Sequence, residues 1–327
     1  MRVFVTGGTG LLGNNVIRML RDRGDDVTAV VRNQPEDEVF AGLDIEVRQG
    51  KLDDVAFVRD AVAGHDAVIH SAGLIHIGRK RRQESFRVNE GLSATIARAC
   101  RELRCKMVHV GTVNTMAIGT PDRPSDEEMA HDGLAGQIDS SYVASKKAGI
   151  AAVMDEVGRG LNAAIVHPGF MLGPYDWKPS SGRMMVEVQK AWRPLAPAGG
   201  CSVCDVRDVA AGTIAAIDRD VPAGREFILA GENWTYLKLW TEMARRVGRR
   251  PPLKKVGPVP RWIGGLYGDL VSRFGEHEHD LNSTGIAMSS QFHFHDSQRA
   301  RRELGYTNRP VETTLDDAAE WLRRFFR

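Results

Sequence analysis

The chain has 327 residues, 42% of them hydrophobic, and 44 basic residues against 42 acidic leave a net charge of +2. That length buries a substantial core and allows two lobes, while near-neutral charge argues against nucleic acid or a membrane surface as partner. No apolar run approaches the roughly eighteen residues of a membrane span, and no charged-then-apolar leader precedes the first strand, so the cytoplasm is the expected compartment.

Val3-Phe4-Val5-Thr6 reads as an apolar strand that runs into Gly7, Gly10 and Gly13 and then into a helical pattern with Leu11, Leu12, Val16, Met19 and Leu20 on one face. Glycines at this spacing let the backbone turn sharply beside a pyrophosphate, and the free N–H groups of the first helical turn face the anion. A second strand, Val27 to Val31, completes a βαβ unit, which makes a dinucleotide the expected ligand. A carboxylate at the end of that strand would accept from the ribose of NAD. Arg32 stands there instead, and its guanidinium suits the 2′-phosphate of NADP, so NADP is the preferred cofactor and NAD, through Glu36 or Asp37 in the next loop, the alternative.

The alternation continues with a strand at Ile45 to Val47, a helix at Val55 to Val62, a strand at Asp66 to His70, a helix at Glu84 to Leu103 and a strand at Met107 to Val110. A helix from about Tyr142 to Val157 and a strand at Ala163 to Val166 close the series. Strands alternating with helices predict an α/β fold, a doubly wound parallel Rossmann sheet with a smaller C-terminal substrate-binding lobe. The dinucleotide domain is expected over residues 1–167, rejoined by about 204–230, and the substrate lobe over 168–203 and 231–327. In that lobe Pro168-Gly169, Gly173-Pro174 and Gly199-Gly200 break the rhythm. Helices are predicted at Asp208 to Ile217, Tyr236 to Val247, Trp262 to Phe274 and Leu315 to Phe326, the last capped by Thr313 or Thr314, with Arg250 to Pro260 as a connector.

Tyr142 and Lys146 lie four apart, on one face of a helix, where an ammonium stabilises a phenolate and moves a tyrosine toward proton transfer at neutral pH. Together with the glycine turn far upstream this pairing is specific. Here the chain resembles the extended short-chain dehydrogenase/reductase superfamily, which also contains nucleotide-sugar epimerases and dehydratases. The resemblance runs through Gly7, Gly10 and Gly13, Val68 to Gly73, Val88-Asn89, Tyr142 and Lys146, His167-Pro168-Gly169 and Gly173-Pro174. Gly173 to Ser180, Asp205 to Ala210 and Ala300 to Tyr306 are similar to the dihydroflavonol-reductase-like subgroup.

The resemblance implies reduction of a ketone or aldehyde, with hydride from the nicotinamide, a proton from Tyr142, and Lys146 lowering the tyrosine pKa and holding the ribose. It implies a cofactor site built from Gly7, Gly10, Leu11, Leu12, Gly13, Arg32, Leu52, Ser71, Ala72, Gly73, Asn89, Lys146, Pro168 and Gly169. Two positions depart from the family pattern. Where relatives carry a Ser or Thr on the reacting oxygen, counting back from Gly119 finds Asn114, whose amide also donates; a shift of register makes it Thr112 or Thr115. Where relatives carry an Asp for the adenine amine, Lys51 stands and cannot accept, leaving Leu52 to flank the ring. The alternatives are an epimerase or dehydratase that keeps its cofactor between turnovers, and, motivated by Asn114, a noncatalytic NADP-binding regulator.

Three further features carry less. Cys201 and Cys204 form a C-x-x-C pair, but in an extended apolar segment and not at a helix N-terminus they read, with Cys100 and Cys105, as plain thiols. His277 with His279 and His293 with His295 have chelating alternation, yet Phe292 to Asp296 reads as an edge strand and the chemistry needs no metal, so none is expected. Arg79-Lys80-Arg81-Arg82 follows the fourth strand near substrate entry, reads first as a solvated run, and leaves an anionic carbonyl substrate open. A homodimer is left open as well.

Overall fold

The computed structural model describes residues 1–129, 138–274 and 282–325. The first half runs β1 (Arg2–Thr6), α1 (Leu11–Asp22), β2 (Asp26–Val31), β3 (Glu46–Gln49), α2 (Val55–Val62), β4 (Ala67–His70), α3 (Arg82–Phe86), α4 (Leu92–Leu103), β5 (Lys106–Val110), α5 (Ser141–Val157) and β6 (Ala163–Pro168). It continues through β7 (Phe170–Leu172), α6 (Arg183–Lys190), β8 (Leu195–Ala196), β9 (Gly200–Asp205), α7 (Val206–Asp218), β10 (Arg225–Leu229), β11 (Glu232–Thr235) and α8 (Tyr236–Arg246). The remainder is β12 (Lys254–Lys255), α9 (Pro258–Phe274), α10 (Ser283–Ser289), β13 (Phe292–His293), α11 (Gln298–Leu304) and α12 (Val311–Phe325).

Seven strands pair in the order β10-β6-β5-β4-β1-β2-β3, every pair parallel, so the expected doubly wound α/β sheet is present. Alternation along β1 shows why the sheet is covered twice. Val3 and Val5 pack with Leu12, Val16 and Ile17 of α1 and Val209 and Ile214 of α7, whereas Phe4 packs on the other face with Val58 of α2, Ile96 of α4 and Val153 of α5. Side chains this fully buried contribute about 1.5–3 kcal/mol each. Strand order reverses between β1 and β4, and the crevice beyond their carboxyl ends is where such sheets hold ligands.

Around β9 a second sheet forms, with β11 antiparallel on one side and β7 and β13 parallel on the other. Its apolar face is covered by α6, α8 and α12 through Met185, Val188, Leu239, Met243, Leu315 and Leu322. α7 and β10 return the chain to the main sheet between these segments.

Several boundaries differ from the sequence expectation. The helix predicted at Glu84 to Leu103 starts at Arg82 and carries a π turn at Arg87–Gly91, where the Asn89 side chain is committed to a neighbouring loop. α7 starts at Val206 with Asp205 as its cap, accepting from the Arg207 N–H. α9 starts at Pro258 and not at Trp262, because prolines in a first turn forfeit no helical bond. α12 starts at Val311, so neither Thr313 nor Thr314 caps it; Thr314 lies inside the helix and donates to the Asp205 carboxylate at 3.0 Å.

Candidate active site

The turn after β1 is shaped by its glycines. Gly7 has φ of 74°, and a Cβ there would lie 2.7 Å from the Ala72 nitrogen; a Cβ on Gly13 would lie 2.3 Å from the Gly7 carbonyl oxygen. The Gly10 N–H donates to that oxygen at 2.9 Å, which closes the turn. Gly10 is also the N-cap of α1 and supplies no side-chain acceptor, so first-turn amides stay available to a ligand. Open amides at a helix start, beside a backbone that admits no side chain, fit a phosphate.

The β4 end is tied to β1. Ser71 Oγ donates to the Thr6 carbonyl at 2.7 Å, and the Ala72 N–H donates to Thr6 Oγ1 at 3.1 Å. Ser93 Oγ gives its proton to the Asn89 carbonyl at 2.6 Å and so accepts from His70 Nε2–H at 3.2 Å, which leaves Nδ1 to accept from Thr6 Oγ1 at 2.8 Å. Burial and the Lys146 charge lower the His70 pKa to about 3, in keeping with that neutral tautomer. His109 of β5 stacks on His70 with ring centroids 5.5 Å apart, and neither of its ring nitrogens has a hydrogen-bond partner. Burial, then Lys146, holds it well below the usual range.

Tyr142 and Lys146 project from the first turns of α5, opened by Ser140, whose hydroxyl accepts from the Val143 N–H. Lys146 Nζ donates to the Val110 carbonyl at the end of β5 at 2.6 Å, and burial lowers its pKa to about 8. The Tyr142 phenol is raised above its ordinary value by burial, partly offset by a hydrogen bond with the Thr112 hydroxyl. Burial thus sets an upward direction for the Tyr142 phenol, which is protonated at neutral pH. Thr112 meets the phenol, Asn114 lines the cavity beside it, and Thr115 turns back to donate to the Thr112 carbonyl at 2.7 Å.

One cavity of about 530 Å³ joins these pieces, lined by Gly7, Gly10, Leu11, Leu12, Gly13, Ser71 and Gly73 at one end and by Thr112, Asn114, Tyr142, Lys146, Pro168 and Gly169 further in. Four expected cofactor contacts are not on its wall. Asn89 is buried, with its amide given to the Leu74 carbonyl and Ser145 Oγ, each at 2.9 Å, and its oxygen accepting from the Leu74 N–H at 2.7 Å; it holds the loop after β4. Ala72 offers its N–H to Thr6, Leu52 packs against the core beneath β2, and Arg32 is exposed beyond the end of β2.

Sequence reasoning missed the apolar end of the cavity, which collects Ile75, Ile77, Phe170, Met171, Met184, Tyr236 and Met288 from five separate segments and carries no local signature. Among the described residues Lys146 is the only Lys, Arg, Asp or Glu on the wall. The basic run lies outside it: Arg79 and Arg82 pair with Asp139, and Arg81 pairs with Glu84. All four cysteines are free and buried, with burial pushing the Cys201 thiol up to about 12. His293 bonds the Met288 carbonyl at 3.2 Å and His295 bonds Ser125 Oγ at 2.7 Å, while His277 and His279 lie outside the described residues. No group of three or more His, Cys, Asp and Glu side chains among the described residues is placed to hold a metal.

The model of the NAD dependent epimerase/dehydratase family matches residues 3–230. Sterol demethylase protein B of Methylococcus capsulatus is 30% identical over 329 residues, covering 99% of this chain and 98% of its own length. A 4-hydroxy-2-methyl-3-oxo-4-farnesyl-3,4-dihydroquinoline-1-oxide ketoreductase of Stigmatella aurantiaca is 30% identical over 233 residues, 70% of this chain and 68% of its own. The crystal structure of gox2253 superimposes with a TM-score of 0.86 at 27% identity, covering 99% of this chain and 98% of that one.

Proposed function

The chain belongs to the NAD dependent epimerase/dehydratase family, and from that premise we propose that it is an NADP-dependent reductase of an uncharged, largely apolar ketone or aldehyde. The observation that carries the reading is the shared cavity, in which the glycine turn of β1 and the Tyr142–Lys146 pair of α5 line one continuous wall. When bound there, a nicotinamide supplies the hydride.

The chain's own residues do the rest. The turn from Gly7 to Gly13 binds phosphate through backbone amides. Tyr142, kept protonated by its burial, gives its proton to the alkoxide as it forms, and Thr112 fixes the direction of that phenol. Such general acid catalysis is worth roughly 10²–10⁴-fold. Lys146 places a positive charge beside the developing oxyanion, and Asn114 offers its amide to the same oxygen.

The wall also favours reduction over sugar-nucleotide chemistry. A diphosphate-linked sugar calls for guanidinium groups, and no Arg lines the cavity among the described residues. Ile75, Phe170, Met184 and Met288 suit an apolar body instead. The sterol and the farnesylated 3-oxo compound in the relatives' names are of that kind. Arg32, the cation at the end of β2, supports the preference for NADP.

A ketone screen with both reduced nicotinamides tests the proposal. Consumption of NADPH is expected, and Tyr142→Phe is expected to lower kcat by at least about 10²-fold with the NADPH Kd unchanged. Full turnover in that variant would remove Tyr142 as the proton donor, and tighter binding of NADH than NADPH would overturn the Arg32 assignment.

A further inference from the structure

We propose that α9 and the strand before it form a face that docks on an anionic lipid surface. This goes beyond the carbonyl reading and stands without it. Globally the chain is near neutral, so the argument is local.

α9 packs on α10 through Gly264 and Gly265, where a Cβ would meet Ile286 and Ser283 at 3.5 and 3.4 Å. Turned away from that contact, with Val271 at the edge beside Gly264, Val259, Tyr267, Leu270 and Val271 fall within about a third of the helix circumference at 3.6 residues per turn. Val259 is 64% exposed and Leu270 58%. Just before the helix, Leu253 is 74% exposed, and its N–H donates to the Pro194 carbonyl at 2.9 Å. That bond sets it next to Trp192, itself 45% exposed and bonded through Nε1 to the Pro251 carbonyl. Aliphatic groups flanked by a Trp and a Tyr make the residue set of a membrane interface.

Charge decides the occupant. Lys254 and Lys255 are exposed between Leu253 and Val259, and Arg250 is exposed just before them. Glu187 nearby is already paired with Lys190 and Arg193, and Asp269 accepts from the Ser283 N–H on the flank facing α10. A second copy whose two-fold axis passed near Lys254 and Lys255 would bring the same lysines against themselves, which costs energy, whereas anionic headgroups complement them directly. The face also has a route inward: α10, held by α9, supplies Gly285, Met288 and Ser289 to the cavity wall.

The test is flotation of the full chain with vesicles of pure phosphatidylcholine and of phosphatidylcholine containing one-fifth phosphatidylglycerol, with sedimentation velocity alongside. Binding is expected on the anionic vesicles and is expected to weaken with added salt. Lys254→Ala with Lys255→Ala is expected to lower affinity roughly thirty-fold, at about 1 kcal/mol per lysine and about 1.4 kcal/mol per tenfold. Val259→Asp with Leu270→Asp is expected to abolish binding; if that variant fails to fold by circular dichroism, the lysine pair carries the test alone. A chain that stays in solution with both vesicles overturns the proposal, and so does a dimer that Leu270→Asp dissociates, which would assign the face to a second copy.

Discussion

Replacing His109 with Leu should flatten the acid side of the stability curve. The His109 ring is buried on β5, and both of its nitrogens lack partners. Burial disfavours its cation, so the folded-state pKa lies well below the ordinary value, while the unfolded chain titrates near 6.5. Below that pH the unfolded state therefore binds a proton that the folded state refuses. Stability is fully present above about 6.5 and is lost as pH falls, at about 1.4 kcal/mol per unit for one such group. Between pH 7.5 and 5.0 the loss from His109 comes to about 2 kcal/mol. Leucine has similar bulk and no nitrogen to desolvate, and two unsatisfied buried polar atoms cost about 1–3 kcal/mol each. The variant should be at least as stable as the parent at pH 7.5 and should lose about 2 kcal/mol less by pH 5.0, read from urea unfolding at both values. Parallel pH curves for the two proteins would refute the reasoning. A variant clearly weaker at pH 7.5 would do so too, since it would mean that the ring nitrogens are satisfied in solution.

Gly13→Ala puts a methyl 2.3 Å from the Gly7 oxygen, so α1 must shift away from the turn; a loss of about 1–3 kcal/mol and weaker NADPH binding are expected in urea melts and fluorescence titration, and unaltered binding would place the phosphates elsewhere. Burial lowers Lys146 to about 8, so its ammonium is lost as pH rises through that value. A fall in kcat/KM above pH 8 is expected against a reducible ketone, and activity flat to pH 9.5 would show that the charge on Lys146 is not needed.

How legible each part was follows from the length scale of the physics behind it. The β1–turn–α1 unit is local: an apolar strand, glycines where backbone approaches backbone, and a helical stripe all lie within Val3 to Leu20, so its geometry could be read residue by residue. Tyr142 and Lys146 were legible because a four-residue spacing fixes a shared helix face. Asn89, expected as a cofactor contact, holds the loop after β4 instead, which the sequence did not show because its partners Leu74 and Ser145 lie 15 and 56 positions away. Thr112 against Asn114 turned on a tight turn after β5, in which Thr112 Oγ1 accepts from the Asn114 N–H and the Thr115 hydroxyl folds back, a geometry that counting from Gly119 does not reveal.

By itself the sequence determined the parallel sheet, the glycine turn after β1 and the four-residue spacing of Tyr142 and Lys146, since each rests on periodicity or on contacts within a few residues. Only the tertiary structure decided that burial raises the Tyr142 pKa, that Thr112 is its partner, and that one end of the cavity is apolar. Those properties come from desolvation and from side chains on separate elements converging in space, and both depend on how the chain packs as a whole.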